Sequence, residues 1–517
     1  MASKQRPNIL WVSFEDTYPY YGCYGDKVAR TPNLDKLAAR GRRYTRCFST
    51  AGVCAPARSA IITGMYAHAI GTHHMRTTHE CPDTPELPTP YSAVIPHYVK
   101  CFSEYLRAEG YYCTNNEKTD YQFTPPFTAW DDCSAKGHWR NRPDPDQPFF
   151  AVFNPHRTHE SGQWPENCPE PKFNPDDIEV PPYYPDTPKV RTAMARMYTH
   201  IERSDQELGE LLQQLEDDGL ADNTYVIHWS DHGPLPRGKR WPYDAGIRVP
   251  LIVRGPGIQE GEVCEDLISS IDLGPTTLSL AGVDIPQHLH GRAFLGEETS
   301  PTREYIHATR DRYDESYDMI RATRDKRYKY IRHYKPELPY LLWIPYRNRH
   351  PIIEELYRLN LEGKLNEAQS ALFKRRPAEE LYDTQEDLHE LTNLAKDPEH
   401  QDTLNRLRAA TDDWLKETGD LGLVPESEMV RQWYPDGQQP QTASPIYLPI
   451  NQENYAQAAT TGGPFKGPTQ IQIHCATQGA SLAYTTDPGK DPAWQLYTQP
   501  VELPPGQTTL RSKAIRI

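Results

Sequence analysis

The sequence predicts an α/β protein with a large, mostly parallel sheet flanked by helices. A smaller α+β subdomain with an antiparallel sheet follows, and then a small C-terminal β-sandwich module. Three observations predict it. Short apolar runs bounded by turn residues alternate with helical patterns over roughly the first three hundred residues. Near Tyr317 the text turns to alternating, aromatic-rich sequence, and after residue 435 it turns again, to proline, glutamine and threonine. These shifts place the expected domains at 1–316, 317–435 and 436–517.

The elements justify themselves in order. Asn8–Phe14, Pro148–Phe153, Tyr225–Ser230 and Val249–Val253 read as buried strands, with lengths and flanks that fit parallel strands covered on both faces. Thr31 as N-cap and Pro32 at the first position open a helix whose stripe is Leu34, Leu37 and Ala38, with Gly41 ending it. Met194, Met197, Ile201, Leu208, Leu211, Leu212 and Leu215 mark a longer helix closing near Gly219. Met319–Tyr334 alternates around a turn at Asp325-Lys326 and reads as a hairpin. The aromatic segment with Tyr340, Trp343 and Tyr346 and further helical stretches to about Gly419 complete the subdomain. Past a linker at Pro435–Pro445, the strand-like runs Thr469–Cys475, Ala480–Thr486 and Gln499–Leu503 suggest the sandwich.

Composition narrows the function. A chain of 517 residues exceeds what one core supports, and 37% hydrophobic with 10% aromatic residues suits a folded protein. The net charge of −15 argues against a general binder of nucleic acid or anionic membrane. It leaves room for an anionic substrate, because a few arginines and a metal reverse the sign locally. No apolar run reaches the roughly eighteen residues of a membrane span. Met1–Asn8 is short and polar, without the core of a signal peptide. Localisation on this text is cytoplasmic, or periplasmic or secreted if a leader has been removed. Ten irregularly spaced cysteines without a CxxC pair fit neither a disulfide framework nor a zinc site.

The chemistry concentrates in a few motifs. Glu15-Asp16 sits at the C-terminal end of the first strand, where open α/β sheets place ligand-binding groups, and Asp231-His232-Gly233 ends another. Each alone reads equally as a cap or solvated turn. Together they can converge on one cation, and their oxygen-rich donors suit Ca²⁺ or Mg²⁺. Between them lies Cys54-Ala55-Pro56-Ala57-Arg58-Ser59-Ala60, followed by Thr63-Gly64. A cysteine by itself is usually a small buried hydrophobe.

The C-x-P-x-R pattern with a nearby T-G resembles the signature of the type I, formylglycine-dependent sulfatases, which share the alkaline phosphatase superfamily fold. The Glu-Asp start, N-P-H-R and R-D-R-Y-D-E resemble the polysaccharide sulfatase and sulfamidase-like branch. The resemblance implies that Cys54 is oxidised to formylglycine by a formylglycine-generating enzyme. It implies Glu15, Asp16, Asp231, His232 and the modified Cys54 as ligands of Ca²⁺, with Mg²⁺ as the alternative. It implies Arg58, Lys118 and Lys239 as sulfate-binding cations, with Arg237 and Arg240 one slip away from Lys239, and His156 as proton donor to the leaving group. The sequence departs from the usual pattern at Glu15, where Asp is commoner, and at His232, where Asn is frequent. It departs again at Asp120, which stands where many relatives carry a histidine next to the nucleophile.

The implied reaction is hydrolysis of sulfate esters, or sulfamates, of a sulfated poly- or oligosaccharide through a covalent sulfo-enzyme intermediate. His73, His74 and Arg76 after the nucleophile helix, and Arg310 and Arg312 before the subdomain, are expected to bind substrate or else to form local salt bridges. A phosphatase or phosphonate monoester hydrolase of the same superfamily is one alternative. A silent sulfated-glycan binder with Cys54 left as a thiol is another. The tail resembles the small β-sandwich of bacterial chitobiase-type enzymes, with Trp494 and Tyr497 stacking on sugars or filling its core.

Overall fold

A computed structural model describes residues 6–451, 462–490 and 492–517. Among them, nine strands form one sheet: β1 (Asn8–Phe14), β2 (Arg42–Phe48), β3 (Tyr112–Asn116), β4 (Asp132–Cys133), β5 (Phe149–Phe153), β6 (Thr224–Ser230), β7 (Arg248–Arg254), β8 (Glu262–Cys264) and β9 (Ile268–Ser269). The order is β4-β3-β5-β1-β6-β7-β2-β8, with β9 beside β2. Central β1 runs parallel to β5 and β6, and all of it is buried. Because side chains alternate across a strand, Ile9 and Trp11 join one core with Phe102, Phe150 and Trp229. Leu10, Val12 and Phe14 join the opposite core with Met194, Met197 and Leu208. A strand buried on both faces must be apolar throughout, and this made these runs legible.

The direction of β7 corrects one expectation. It pairs antiparallel with both β6 and β2, in a sheet otherwise mostly parallel. The link from Ser230 to Arg248 holds only the helical turn Asp244–Ile247, too short for a crossover, so the chain returns alongside itself. Continuous burial reports depth and not direction. Strand β2 escapes a sequence reading because Arg42, Arg43, Thr45 and Arg46 are only half-buried, and Arg42 meets Glu262 at 2.7 Å.

Helix α1 (Pro32–Ala39) buries Leu34, Leu37 and Ala38, as its pattern requires. Thr31 does not cap it: its hydroxyl accepts the Gly22 amide at 2.9 Å. The free amides of Asn33 and Leu34 instead donate to the Asp205 carboxylate at 3.2 and 2.8 Å. Asp205 belongs to the long helix Pro188–Asp217, capped by Thr187 and closed by Gly219 in a left-handed conformation. Helix α2 (Cys54–Thr63) is buried on every side.

A second, antiparallel sheet runs in the order β10 (Ile306–Arg310), β11 (Ile320–Arg324), β12 (Tyr328–His333) and β13 (Glu379–Asp383). The expected hairpin is β11–β12, turned where Asp325 accepts the amides of Arg327 and Tyr328 at 2.7 and 2.6 Å. The first strand of this sheet, β10, lies before Tyr317 in the chain. Beyond the helices Gln401–Thr418 and Glu426–Trp433 come two small sheets. Their strands are β14 (Ile446–Pro449), β15 (Thr469–His474), β16 (Ser481–Thr485), β17 (Gln495–Leu496), β18 (Val501–Leu503) and β19 (Arg511–Ile515), with β14, β15 and β18 in one sheet and the rest in the other. Tyr497 packs in this module's core, where its hydroxyl accepts the Ile473 amide at 3.0 Å. Trp494 lies at a seam: its carbonyl accepts from Arg107 at 3.0 Å and its ring lies 4.1 Å from the Lys513 ammonium.

Candidate active site

Four parallel strands end at one edge of the large sheet, and the groups that follow them converge. After β1 comes Glu15-Asp16, after β3 Lys118, after β5 Asn154, and after β6 Asp231-His232. Helix α2 points its first turn at the same place, with Cys54 at its start. One ligand atom from each of Asp16, Cys54, Asp231 and His232 lies within 4.8 Å of the others, and Glu15, Cys54 and His159 form a second such group. Cys54 Sγ stands 3.2 Å from His232 Nε2. Burial pushes its thiol well up, against the pull of Lys239 and Lys118.

The donor set fits a hard divalent cation. Glu15 Oε1 and Asp16 Oδ1 are buried with no hydrogen-bond partner, Asp16 Oδ1 lying 3.3 Å from His232 Nε2, while Glu15 Oε2 accepts from Lys118 and Asp16 Oδ2 from Lys239 and the Glu160 amide. Lone pairs left so in a dry site call for a positive ligand. Burial raises the Asp16 and Asp231 carboxyls, but Lys239 overcomes it at the first, and His232 with Arg58 at the second, so both are held below the usual carboxylate range.

Cations surround this cluster. Arg58, one helical turn past Cys54, donates through Nε to Asp231 at 3.0 Å and through Nη1 to Asn154 at 3.0 Å, while its buried Nη2 has no partner. Lys118 Nζ donates to Glu15 Oε2 at 3.0 Å and lies 3.8 Å from Asp120. Lys239 Nζ donates to Asp16 Oδ2 at 2.7 Å and meets Glu160 at 3.2 Å. Burial alone would discharge both lysines, but Cys54 with Glu15 at Lys118, and Asp16 with Glu160 at Lys239, hold their pKa above the usual value. Lys239, not Arg237 or Arg240, faces the cluster. Arg240 forks onto Glu160 at 2.9 and 3.0 Å, and Arg237 reaches the carbonyls of His389 and Glu390 at 3.1 and 2.9 Å.

The loop from Asp231 to Ile247 that carries Lys239 is almost wholly buried. Gly233 donates to the Gly246 carbonyl at 2.7 Å, and a Cβ at Gly233 would collide with the Ala245 carbonyl. The antiparallel sheet and the segment after it grip this loop. Glu390 accepts the Asp244 amide at 2.7 Å and meets Lys329 at 2.6 Å, and Arg324 bonds the Asp244 carboxylate.

The histidine following β5 differs from expectation. His156 is exposed and stands outside both groups of converging ligand atoms. A tight turn, with the His159 amide on the His156 carbonyl at 3.2 Å, brings His159 to the nucleophile instead. The next amide, of Glu160, donates to Asp16 at 2.7 Å and fixes that turn. His159 Nδ1 lies 2.9 Å from Ser161 Oγ and 3.4 Å from the Ser161 amide, which can only donate to it, and this pairing favours the neutral ring's proton on Nε2. Burial, then Lys239, lowers its pKa to about 4.

The residues expected at the substrate divide. Arg76 is one-third exposed and holds Asp314 through Nε. Arg312 is fully buried and forks onto Glu426 at 2.6 Å on both arms, so it ties the helix Glu426–Trp433 to the body rather than facing a ligand. Arg310 is also buried, 3.2 Å from Asp318 and 3.8 Å above Trp241. His73 and His74 are buried, their rings 4.2 Å apart, with His74 Nδ1 taking the Arg312 amide at 3.3 Å. His159, Glu160 and Asn154 were missed. The second histidine and the glutamate of Asn154-Pro155-His156-Arg157-Thr158-His159-Glu160 were the available signal.

Comparison with known proteins agrees with this geometry. Residues 7–283 match the family model described as Sulfatase, and residues 232–347 match that of N-sulphoglucosamine sulphohydrolase, C-terminal. An ulvan-active sulfatase of Formosa agariphila is 44% identical, over 98% of this chain and 88% of its own length. The N-sulphoglucosamine sulphohydrolase of Homo sapiens is 26% identical, over 87% of this chain and 96% of its own. A solved structure in complex with its substrate D-glucosamine-2-N,6-O-disulfate superposes with a TM-score of 0.57 at 18% identity, covering 81% of this chain and all of that one. The chain belongs to the sulfatase family and is a sulfuric ester hydrolase.

Proposed function

We propose that this sulfatase releases sulfate from a sulfated polysaccharide of the ulvan type, using Cys54 as formylglycine and Ca²⁺ as the cation. The observation that carries the reading is the meeting of Cys54 with Asp16, Asp231 and His232 within 4.8 Å, flanked by two charged lysines. Similarity over nearly the full chain to an ulvan-active enzyme supports the substrate class.

Glu15, Asp16, Asp231 and His232 would hold the cation, which supplies Lewis-acid polarisation. The aldehyde hydrate at Cys54 would supply the attacking hydroxyl; after transfer, loss of its second hydroxyl's proton to solvent would re-form the aldehyde C=O as the C–O bond to sulfate breaks. The protein's own groups do the rest. Lys118, paired with Glu15, and Lys239, paired with Asp16, bind the sulfate oxygens on which charge builds, where preorganised cations in a dry site act most strongly. Arg58 fixes Asp231 and keeps one N–H free toward the site. A sulfate anion bound beside His159 favours its protonated form, and the imidazolium then gives a proton to the departing sugar oxygen and returns to the neutral ring.

Trypsin releases Cys47–Arg58, and alkylating free thiols before weighing that peptide tests the nucleophile. One label and an aldehyde mass at Cys54 support the reading. Two labels after coexpression with a formylglycine-generating enzyme overturn it and leave a sulfated-glycan binder. Sulfate release from ulvan, set against turnover of phosphate and phosphonate monoesters, tests the substrate.

A further inference from the structure

Arg76 differs from the other arginines near the site. Arg312 has every nitrogen bonded, to Glu426 and to the carbonyls of Met75 and Asp314. Arg240 spends its fork on Glu160. Arg76 bonds only through Nε, to Asp314, and lies 4.8 Å above the Tyr346 ring. Its two outer nitrogens donate no hydrogen bond among the described residues, and its side chain is 31% exposed.

This position is built. Asp314 is 1% exposed and is shared with Arg240 Nε at 3.4 Å. The chain of contacts Lys239–Glu160–Arg240–Asp314–Arg76 therefore ties the outer guanidinium to the sulfate-binding lysine. Arg76, Asp314 and Arg240 all have φ in the left-handed region, at 58°, 51° and 79°. Such conformations cost of order 1 kcal/mol or more for non-glycine residues and cluster where a side chain must be aimed.

We propose that Arg76 is a specificity residue that reads a second anionic group on the substrate, a carboxylate or a further sulfate, borne by the sulfated sugar or its neighbour. A free guanidinium edge presents two parallel N–H groups that match such an oxyanion, and the Tyr346 face fixes its plane. This inference rests on the sulfated-polysaccharide reading and sharpens it: the preferred substrate carries more than one negative charge.

The test compares wild type, Arg76→Met and Arg76→Lys on three probes: a uronate-containing sulfated oligosaccharide, the same oligosaccharide after carboxyl reduction, and a neutral monosulfated monosaccharide. Losing one charge-assisted fork corresponds to about a 10- to 100-fold drop in kcat/KM. That drop is expected for Arg76→Met on the intact oligosaccharide, mainly through KM, with the neutral sugar unaffected. Arg76→Lys, which keeps charge but not the fork, should fall between. Carboxyl reduction bringing wild type down to the Arg76→Met level identifies a carboxylate, whereas an undiminished difference identifies a second sulfate. Equal loss on all three probes, or none on any, overturns the proposal, and unchanged activity on the neutral sugar shows that the variant is folded. If wild type releases sulfate from none of them, the substrate reading fails first.

Discussion

Replacing Glu160 by Gln asks how much one buried carboxylate holds together. Its oxygens accept Arg240 at 2.9 and 3.0 Å and stand 3.2 Å from Lys239, and it is 3% exposed. Gln keeps the shape but turns an amide NH₂ toward a guanidinium. Breaking a buried pair in this way costs about 3–5 kcal/mol. Here the lower end applies, because Arg240 retains Asp314 and Lys239 retains Asp16 at 2.7 Å. The expected loss is about 3 kcal/mol at pH 7, read as a lower denaturation midpoint by tryptophan fluorescence in saturating cation. The sign follows from linkage. Burial raises the Glu160 carboxyl but Arg240 and Lys239 outweigh it, so its folded pKa lies well below the ordinary 4.5. The stabilisation is therefore complete above pH 4.5 and fades as pH falls below it, and the two stability curves should converge in acid. Sulfate release should drop about 10- to 100-fold as Lys239 loses its lateral support. A variant as stable as wild type at pH 7, or a gap that persists undiminished to pH 3, would refute the reasoning.

Other outcomes follow from the same geometry. Removing His159 should lower kcat on sugar sulfates by about 100-fold and far less on an activated aryl sulfate whose leaving group needs no proton, while His156→Ala should be nearly silent in the same assay. Chelation should lower the melting midpoint, because Glu15, Asp16 and Asp231 are left facing one another; refilling to 100 times Kd restores about 2.7 kcal/mol, and titrating Ca²⁺ against Mg²⁺ shows which ion does so more effectively. Arg312→Met should cost about 3–5 kcal/mol of stability by stranding buried Glu426, with KM unchanged in whatever protein remains folded.

Sequence revealed the parts of the site that follow fully buried strands. Glu15-Asp16 and Asp231-His232 come directly after β1 and β6, whose unbroken apolar runs mark their ends. Cys54 stood out because its neighbours form a specific pattern. What depended on a turn or a distant partner was hidden. His156 and His159 are equivalent as text, and only the reversal after β5, pinned by the Glu160 amide on Asp16, selects one. Arg312 resembled a substrate ligand because Glu426, which consumes its fork, arrives from far along the chain. The reversed β7 was illegible for a different reason: burial is the same in either direction, and the absence of a crossover is only visible once the loop's path is known.

The grip of the antiparallel sheet on the Asp231–Ile247 loop bears on what can be cut away. Arg237 anchors to the carbonyls of His389 and Glu390, and Asp244 is held by Arg324, Lys329 and Glu390. These partners lie on or near β11, β12 and the segment after β13, outside the large sheet. A fragment ending near residue 316 would keep β1 through β9 and the acidic cluster, yet its lysine-bearing loop would lose the clamp that shapes it. Catalytic competence thus belongs to the two sheets jointly. Proteolytic nicking between them should silence the enzyme before the larger sheet itself comes apart.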